Sequence, residues 1–421
     1  MVRRIIPISS GKGGVGKTSF AINLSLCLAR YGKTVLIDLD TCTSSIRNVI
    51  AAPVEKDLYH FLKKDVPLSE CIATLPPGLD PDGRFSRFGF VASPMHMMDS
   101  INNMNQAWRN KIIDAVNGLD ANFIVLDLKA GLDPMVLDFL PQSNTGILVF
   151  TPNHPAATIA AADIAKAILF RKFREVFYPG SPIYERFGSK SLDPKVMNDL
   201  IDQVEDVYRE SVPNVDAFLE HLQERFPGHP VSTILLNMTR QFHVYYLLNR
   251  FSGVTSSFET AVKPFVENIA DYLSSRVNIS NLGWIIDSER YHRANMSDRP
   301  FLLRQEDVKP ASAKSSKPSL DQRLQELYAL AGLDRETRPT EKKTKKTASA
   351  RKAEPGTVLD NQLRAIQGLY DAKREESEAQ NFEYVVSCIR FLLQSKRITA
   401  FGDMRIFKRG ELAPLLLGRK S

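Results

Sequence analysis

Ser9-Ser10-Gly11-Lys12-Gly13-Gly14-Val15-Gly16-Lys17-Thr18 constrains this chain more than any other stretch. It fits G-x-x-x-x-G-K-[ST], follows a short apolar run at Arg4–Ser9, and precedes a helical pattern over Thr18–Tyr31. A triphosphate needs many donors converging on a small volume. Backbone N–H groups supply them if the loop wraps tightly, and glycine permits the positive φ angles this takes. The helix amino terminus adds its partial positive charge. Lys17 is expected to reach the β- and γ-phosphates, and the Thr18 hydroxyl to sit on Mg2+. The expected ATP contacts here are Gly11, Lys12, Gly13, Gly14, Val15, Gly16, Lys17, Thr18 and Ser19. No Asn-Lys-x-Asp for guanine is present, which favours ATP over GTP.

Short apolar runs alternate with helical patterns from Val2 to about Asp307, as in a parallel sheet joined by crossover helices. The fold class expected is α/β: a P-loop NTPase with a mostly parallel twisted sheet and helices on both faces. A helical insertion and a mostly helical carboxyl-terminal extension are added to it. Strands are predicted at Arg4–Ser9, Thr34–Leu39, Phe88–Ala92, Phe123–Leu128, Thr145–Thr151 and Ser232–Met238, and near Asn281–Ile286. Pro7 fits poorly inside the first, because it removes a ladder donor. The ATPase domain is expected over 1–307, with the insertion at about 175–230. A basic linker with a short helix, Leu320–Leu333, follows over 308–357, then a small helical region over 358–421.

Two apolar runs end in carboxylates. Leu36-Ile37-Asp38-Leu39-Asp40 places Asp38 and Asp40 at a period of two, off the carboxyl end where ligands bind in open sheets. Phe123-Ile124-Val125-Leu126-Asp127 is the kind of strand that sets a carboxylate near Mg2+, with Asp127 holding a metal-bound water.

Lys12 before two glycines makes the loop K-G-G-x-G-K-T. This resembles the deviant loop of the MinD/ParA group of ATPases. The resemblance implies that Lys12 touches phosphates bound by a partner subunit, so that ATP joins a face-to-face homodimer. It implies that Asp40 orients the attacking water, that Asp38 supports the Mg2+ shell, and that the Gly131 N–H meets the γ-phosphate. It also implies that Asn237, after the predicted Ser232–Met238 strand, contacts adenine. Leu282–Asp287 and Arg299-Pro300-Phe301 resemble the group's last strand and base-side loop. Lys129 stands where the group has a small residue or proline, and Thr41-Cys42-Thr43-Ser44-Ser45 departs from its first switch. The stretch from Thr145, TGILVFTPNHPAATIAAADIAKAILFRK, looks most like the FlhG/MinD branch.

That branch implies slow, partner-stimulated ATP hydrolysis, cycling on and off a membrane, and the positioning of a cellular structure. The catalytic set it implies is Lys12, Lys17 and Asp40. An activating protein and a membrane surface are the implied partners, with Arg405–Lys420 as a candidate interfacial segment. A DNA-associated partition ATPase and an ATP-binding scaffold with little turnover are the alternatives. For the first, the net charge of +7 gathers largely in RETRPTEKKTKKTASARK. No run approaches the roughly 20 apolar residues that span a bilayer, and a cytoplasmic protein, peripheral at the inner membrane face at most, is expected. The four cysteines show no CxxC pair, which removes zinc and bridging iron–sulfur sites.

Overall fold

A computed structural model describes residues 3–41, 45–96, 98–140, 144–177, 181, 185, 193–206, 212–295, 299–304, 360, 364, 378–394, 406, 408 and 411. The strands are β1 Arg4–Ser9, β2 Thr34–Asp38, β3 Ala73–Thr74, β4 Phe88–Val91, β5 Phe123–Asp127, β6 Asn144–Phe150, β7 His243–Phe251 and β8 Asn278–Ile286. They form one sheet in the order β3-β4-β2-β5-β1-β6-β7-β8, parallel except where β3 meets β4. Six of these strands, all but β3 and β8, are nearly or wholly buried, which is why most of them read as continuous apolar runs and not as alternating ones.

Helices cover both faces. In chain order they are α1 Lys17–Ala29, α2 Ser45–Val49, α3 Leu58–Lys63, α4 Asp99–Asn102, α5 Gln106–Gly118, α6 Pro134–Phe139 and α7 Pro155–Val176. Then come α8 Pro194–Glu205, α9 Val215–Arg225, α10 Pro230–Arg240, α11 Val254–Ser257, α12 Lys263–Tyr272, α13 Glu289–Asn295 and α14 Glu378–Gln394. The expected insertion contains α8 and α9, α10 follows from its far end, and α7 packs on α8 and α12.

The predicted strand at Ser232–Met238 is not a strand. Pro230–Arg240 is helical and buries Val231, Leu235, Met238 and Thr239, a spacing of three to four. Pro230 sits in its first turn, where its missing N–H costs nothing. The strand lies later, at His243–Phe251, beside β6 and β8.

Pro7 is in β1 after all, and its position explains how. The Arg4 N–H donates to Asn122 on the β5 side, so the Pro7 nitrogen, three residues on, faces β6. β6 pairs with β1 only from Ile8, and its register with β7 shifts between Asn144 and Ile147. There Gly146 has φ +63° and donates its N–H to the Asn144 side chain at 2.8 Å. A Cβ on Gly146 would lie 2.5 Å from the Pro7 carbonyl oxygen. The bulge thus removes the demand for the donor that proline lacks.

α14 does not stand apart from the sheet. It packs on β8 and α1. Phe382 meets Phe20 and Tyr291, Glu383 pairs with Arg30, and Arg390 lies over Tyr31. Gly283, at φ +115°, leaves room for Tyr384 and Val385. Of the candidate interfacial segment, Ile406 is buried and exchanges two 2.9 Å hydrogen bonds with the Asn117 amide, and Lys408 pairs with Asp114. Glu411 accepts from the Lys408 N–H at 3.0 Å, and the other residues of that segment, the Leu320–Leu333 helix and the basic run lie outside the described residues. No described helix is long and apolar enough to cross a membrane.

Candidate phosphate and nucleotide site

The loop between β1 and α1 stands at the carboxyl edge of the sheet's centre. Gly14 and Gly16 have φ of +80° and +84°, the left-handed region that glycine enters without strain. Gly16 precedes α1, and no side chain caps that helix, so its first N–H groups are open to an anion. Two other constraints act on the loop. A Cβ on Gly11 would lie 2.3–2.5 Å from the backbone and Cβ of Ala160 and the nitrogen of Ala161, so α7 presses directly on the loop. A Cβ on Gly16 would lie 2.2 Å from the Asn249 amide nitrogen.

The two lysines face differently. Lys17 is buried and donates to the Asp127 carboxylate at 2.6 Å, while Lys12 is exposed together with Gly13 and Gly14. Thr18 and Ser19 are half-buried at the start of α1, and the Ser19 carbonyl accepts from Asn23 at 2.8 Å.

Asp38 and Asp127 are register partners on β2 and β5, and both are fully buried. One Asp38 oxygen accepts from the Asp40 N–H at 3.1 Å. The other accepts from the Ser93 hydroxyl at 3.0 Å and the Ile46 N–H at 3.3 Å. Burial, then the negative charge of Asp127, pushes the Asp38 carboxyl up to about 7, against the pull of those hydrogen bonds and of Lys17. Asp127 Oδ2 is buried without a hydrogen-bond partner among the described residues. An orphaned carboxylate oxygen, a second carboxylate beside it and the Thr18 hydroxyl nearby along α1 are hard oxygen donors, the set that Mg2+ prefers.

β2 ends at Asp38, so the period-two spacing does not carry on to Asp40, which is half-buried in the following turn. Cys42–Ser44 lie outside the described residues. Gly131, at φ +93°, donates its N–H to the Ser10 carbonyl at 2.8 Å, so the second switch segment rests on the phosphate loop. Lys129 lies 3.7 Å from Asp133.

Asn237 is not at the site. It is exposed on α10, which ends before β7 begins and so lies toward the amino edge of the sheet, opposite the loop. The asparagine that does reach the site is Asn249, near the carboxyl end of β7. Its amide nitrogen donates to the Val15 carbonyl at 2.8 Å, and its Oδ1 is buried without a partner among the described residues. Its only trace in the sequence is the run Tyr245-Tyr246-Leu247-Leu248 before it. Arg299–Leu303 closes the same end, where the Leu302 N–H donates to Asn23 on α1 at 3.0 Å.

A family model described as an AAA domain matches residues 3–169. A putative septum site-determining protein MinD of Nephroselmis olivacea is 31% identical over 150 residues, 35% of this chain and 52% of that protein. The flagellum site-determining protein YlxH of Helicobacter pylori is 28% identical over 233 residues, 53% of this chain and 74% of that one. A solved MinD complexed with Mg-ADP from Pyrococcus horikoshii is 14% identical over 73% of this chain and 90% of its own, with a TM-score of 0.42. The chain spans about half the length of the first curated relatives it matches. With the phosphate loop and the paired carboxylates, residues 3–169 are a P-loop domain similar to that of the MinD/ParA-type ATPases.

Proposed function

We propose that this chain is an ATP-hydrolysing switch that dimerises around bound nucleotide and cycles on and off a surface to position a cellular structure. One observation carries the reading: Lys17 is buried and turned inward to Asp127, while Lys12, five residues away on the same loop, is exposed. One lysine serves the chain's own phosphates, and the other is free to serve those of a second copy. Around Lys12 the carboxyl edge also exposes Met95 (65%), Leu132 (51%) and Ile159 (49%), apolar area suited to burial between two subunits.

ATP phosphates would take the N–H groups of Gly13–Ser19 and draw Lys17 toward themselves. Thr18, with Asp38 and Asp127 behind it, would hold Mg2+, which supplies charge neutralisation at the phosphates. The Gly131 N–H would exchange the Ser10 carbonyl for the γ-phosphate, and Asp40 would orient water. Asn249 would give a preference for adenine a physical cause. Its nitrogen is committed to the Val15 carbonyl, so a base that reached its Oδ1 would meet an acceptor, matching the amino group of adenine and not the carbonyl of guanine.

Relatives named as septum or flagellum site-determining proteins favour a spatial role. Slow turnover, stimulation by a protein partner, and a cytosolic state alternating with a membrane-bound one complete the proposal. ATP binding and turnover of the wild type, Lys17→Ala and Asp40→Ala test it. Lys17→Ala should lose nucleotide. Asp40→Ala should bind ATP yet turn it over about 100-fold more slowly, the scale of a lost water-positioning group. Wild-type protein that binds no ATP would sink the reading. Sedimentation in ATP with anionic vesicles and, separately, with DNA identifies the surface.

A further inference from the structure

Asp138 is buried near the end of α6, the helix that begins three residues after Gly131. Two arginines converge on its carboxylate. Arg109 of α5 donates Nε to one oxygen at 2.6 Å, and Arg171 of α7 donates Nη2 to the other. Two cations on one buried anion form a joint between three helices.

The arginines differ in one respect. Every nitrogen of Arg109 is engaged: beside Nε, Nη1 donates to the Met104 carbonyl at 2.6 Å and Nη2 to Gln106 at 2.7 Å. In Arg171 one nitrogen is not, because its Nη1 is buried without a partner among the described residues. The α5 side of the joint is therefore fixed, and the α7 side holds a spare donor that a small shift of α6 could engage.

α7 is a single helix of 22 residues. At Ala160–Ala161 it presses on Gly11 of the phosphate loop. At Arg171 it holds Asp138, and one turn later Arg174 pairs with Asp202 and Glu205 of α8. The phosphate loop, the segment that rests on it through Gly131 and the helical insertion thus all bear on one rigid element.

We infer that Asp138 is a positioning residue: its two-arginine joint sets the Gly131 segment relative to α7, and couples occupation of the γ-phosphate position to the helical insertion. This rests on the ATP-switch reading above. Asp138 itself touches no reacting atom.

The test uses the full chain with Asp138→Asn, which keeps the shape and removes the charge, and Arg171→Lys, which keeps the charge and loses the fork. Amide exchange is followed over residues 129–139 and 194–205, with ADP and with a non-hydrolysable ATP analogue, beside kcat and KM. In the wild type the analogue should slow exchange in both segments relative to ADP. In Asp138→Asn, analogue affinity should stay within about threefold, the slowing over 194–205 should vanish, and kcat should fall about tenfold with little change in KM. Should Asp138→Asn fail to fold, the same outcome is required of Arg171→Lys. A folded variant with wild-type kcat and wild-type slowing at 194–205 overturns the inference. So does a parallel loss of affinity, kcat and melting temperature, which is what a merely structural joint would give. Wild-type protein that binds the analogue but never turns over ATP would remove the hydrolysis reading alone, since the exchange response still decides the role of Asp138.

Discussion

Asp38 shows how a residue's environment turns a sequence position into a measurable property. Unfolded, an aspartate loses its proton near 3.8; in the fold Asp38 keeps it to about 7. Between those values the native chain binds more protons than the unfolded one, so this group's contribution makes stability fall as pH rises, until the cost is complete above about 7. Asp38→Asn removes the titration. Melting curves from pH 5 to pH 8, without nucleotide or Mg2+, should show the variant gaining on the wild type as pH rises. A difference that does not change with pH would contradict the buried, charge-opposed carboxyl. The loop residues and Asp127 were legible because a phosphate cradle needs fixed spacing and a carboxylate at a strand end. Asn249 was not, because one amide after an apolar run has no spacing to betray it. Only the approach of β7 to Gly16 makes it part of the site.

At the scale of elements, most of the sheet could be read from near-continuous apolar runs, since strands buried on both faces carry them. The same rule failed at 232–238. Val231, Leu235 and Met238 recur at helical spacing, and Pro230 opens the helix; the aromatic run His243–Phe251 is the strand. Pro7 argued against a central strand until the bulge at Gly146 appeared, a pairing that no local pattern reports. α14 was legible as a helix and not as a cover for β8 and α1, because its contacts cross a long stretch of chain. Phe382 is fully buried between Phe20 and Tyr291. Phe382→Ala should cost about 3–5 kcal/mol, the usual price of a large core truncation. It should lower the melting temperature and expose α1 to proteolysis. Wild-type melting would mean that α14 is dispensable for the domain.

For the whole molecule, the order β2-β5-β1-β6-β7 brings the ends of β1, β2, β5 and β7 to one edge, so Lys17, Asp38, Asp127 and Asn249 share a site although they come from distant parts of the chain. The same edge carries Lys12 and the exposed Met95, Leu132 and Ile159. One copy of the chain thus presents its nucleotide loop on an outward face. The central claim is that a second copy completes that face through Lys12. Sedimentation velocity of the wild type and Lys12→Ala, with Mg-ATP or Mg-ADP, tests it most directly. The wild type should be dimeric with ATP and monomeric with ADP, and Lys12→Ala should bind ATP yet remain monomeric. Lys12→Ala dimerising with ATP as the wild type does would contradict it.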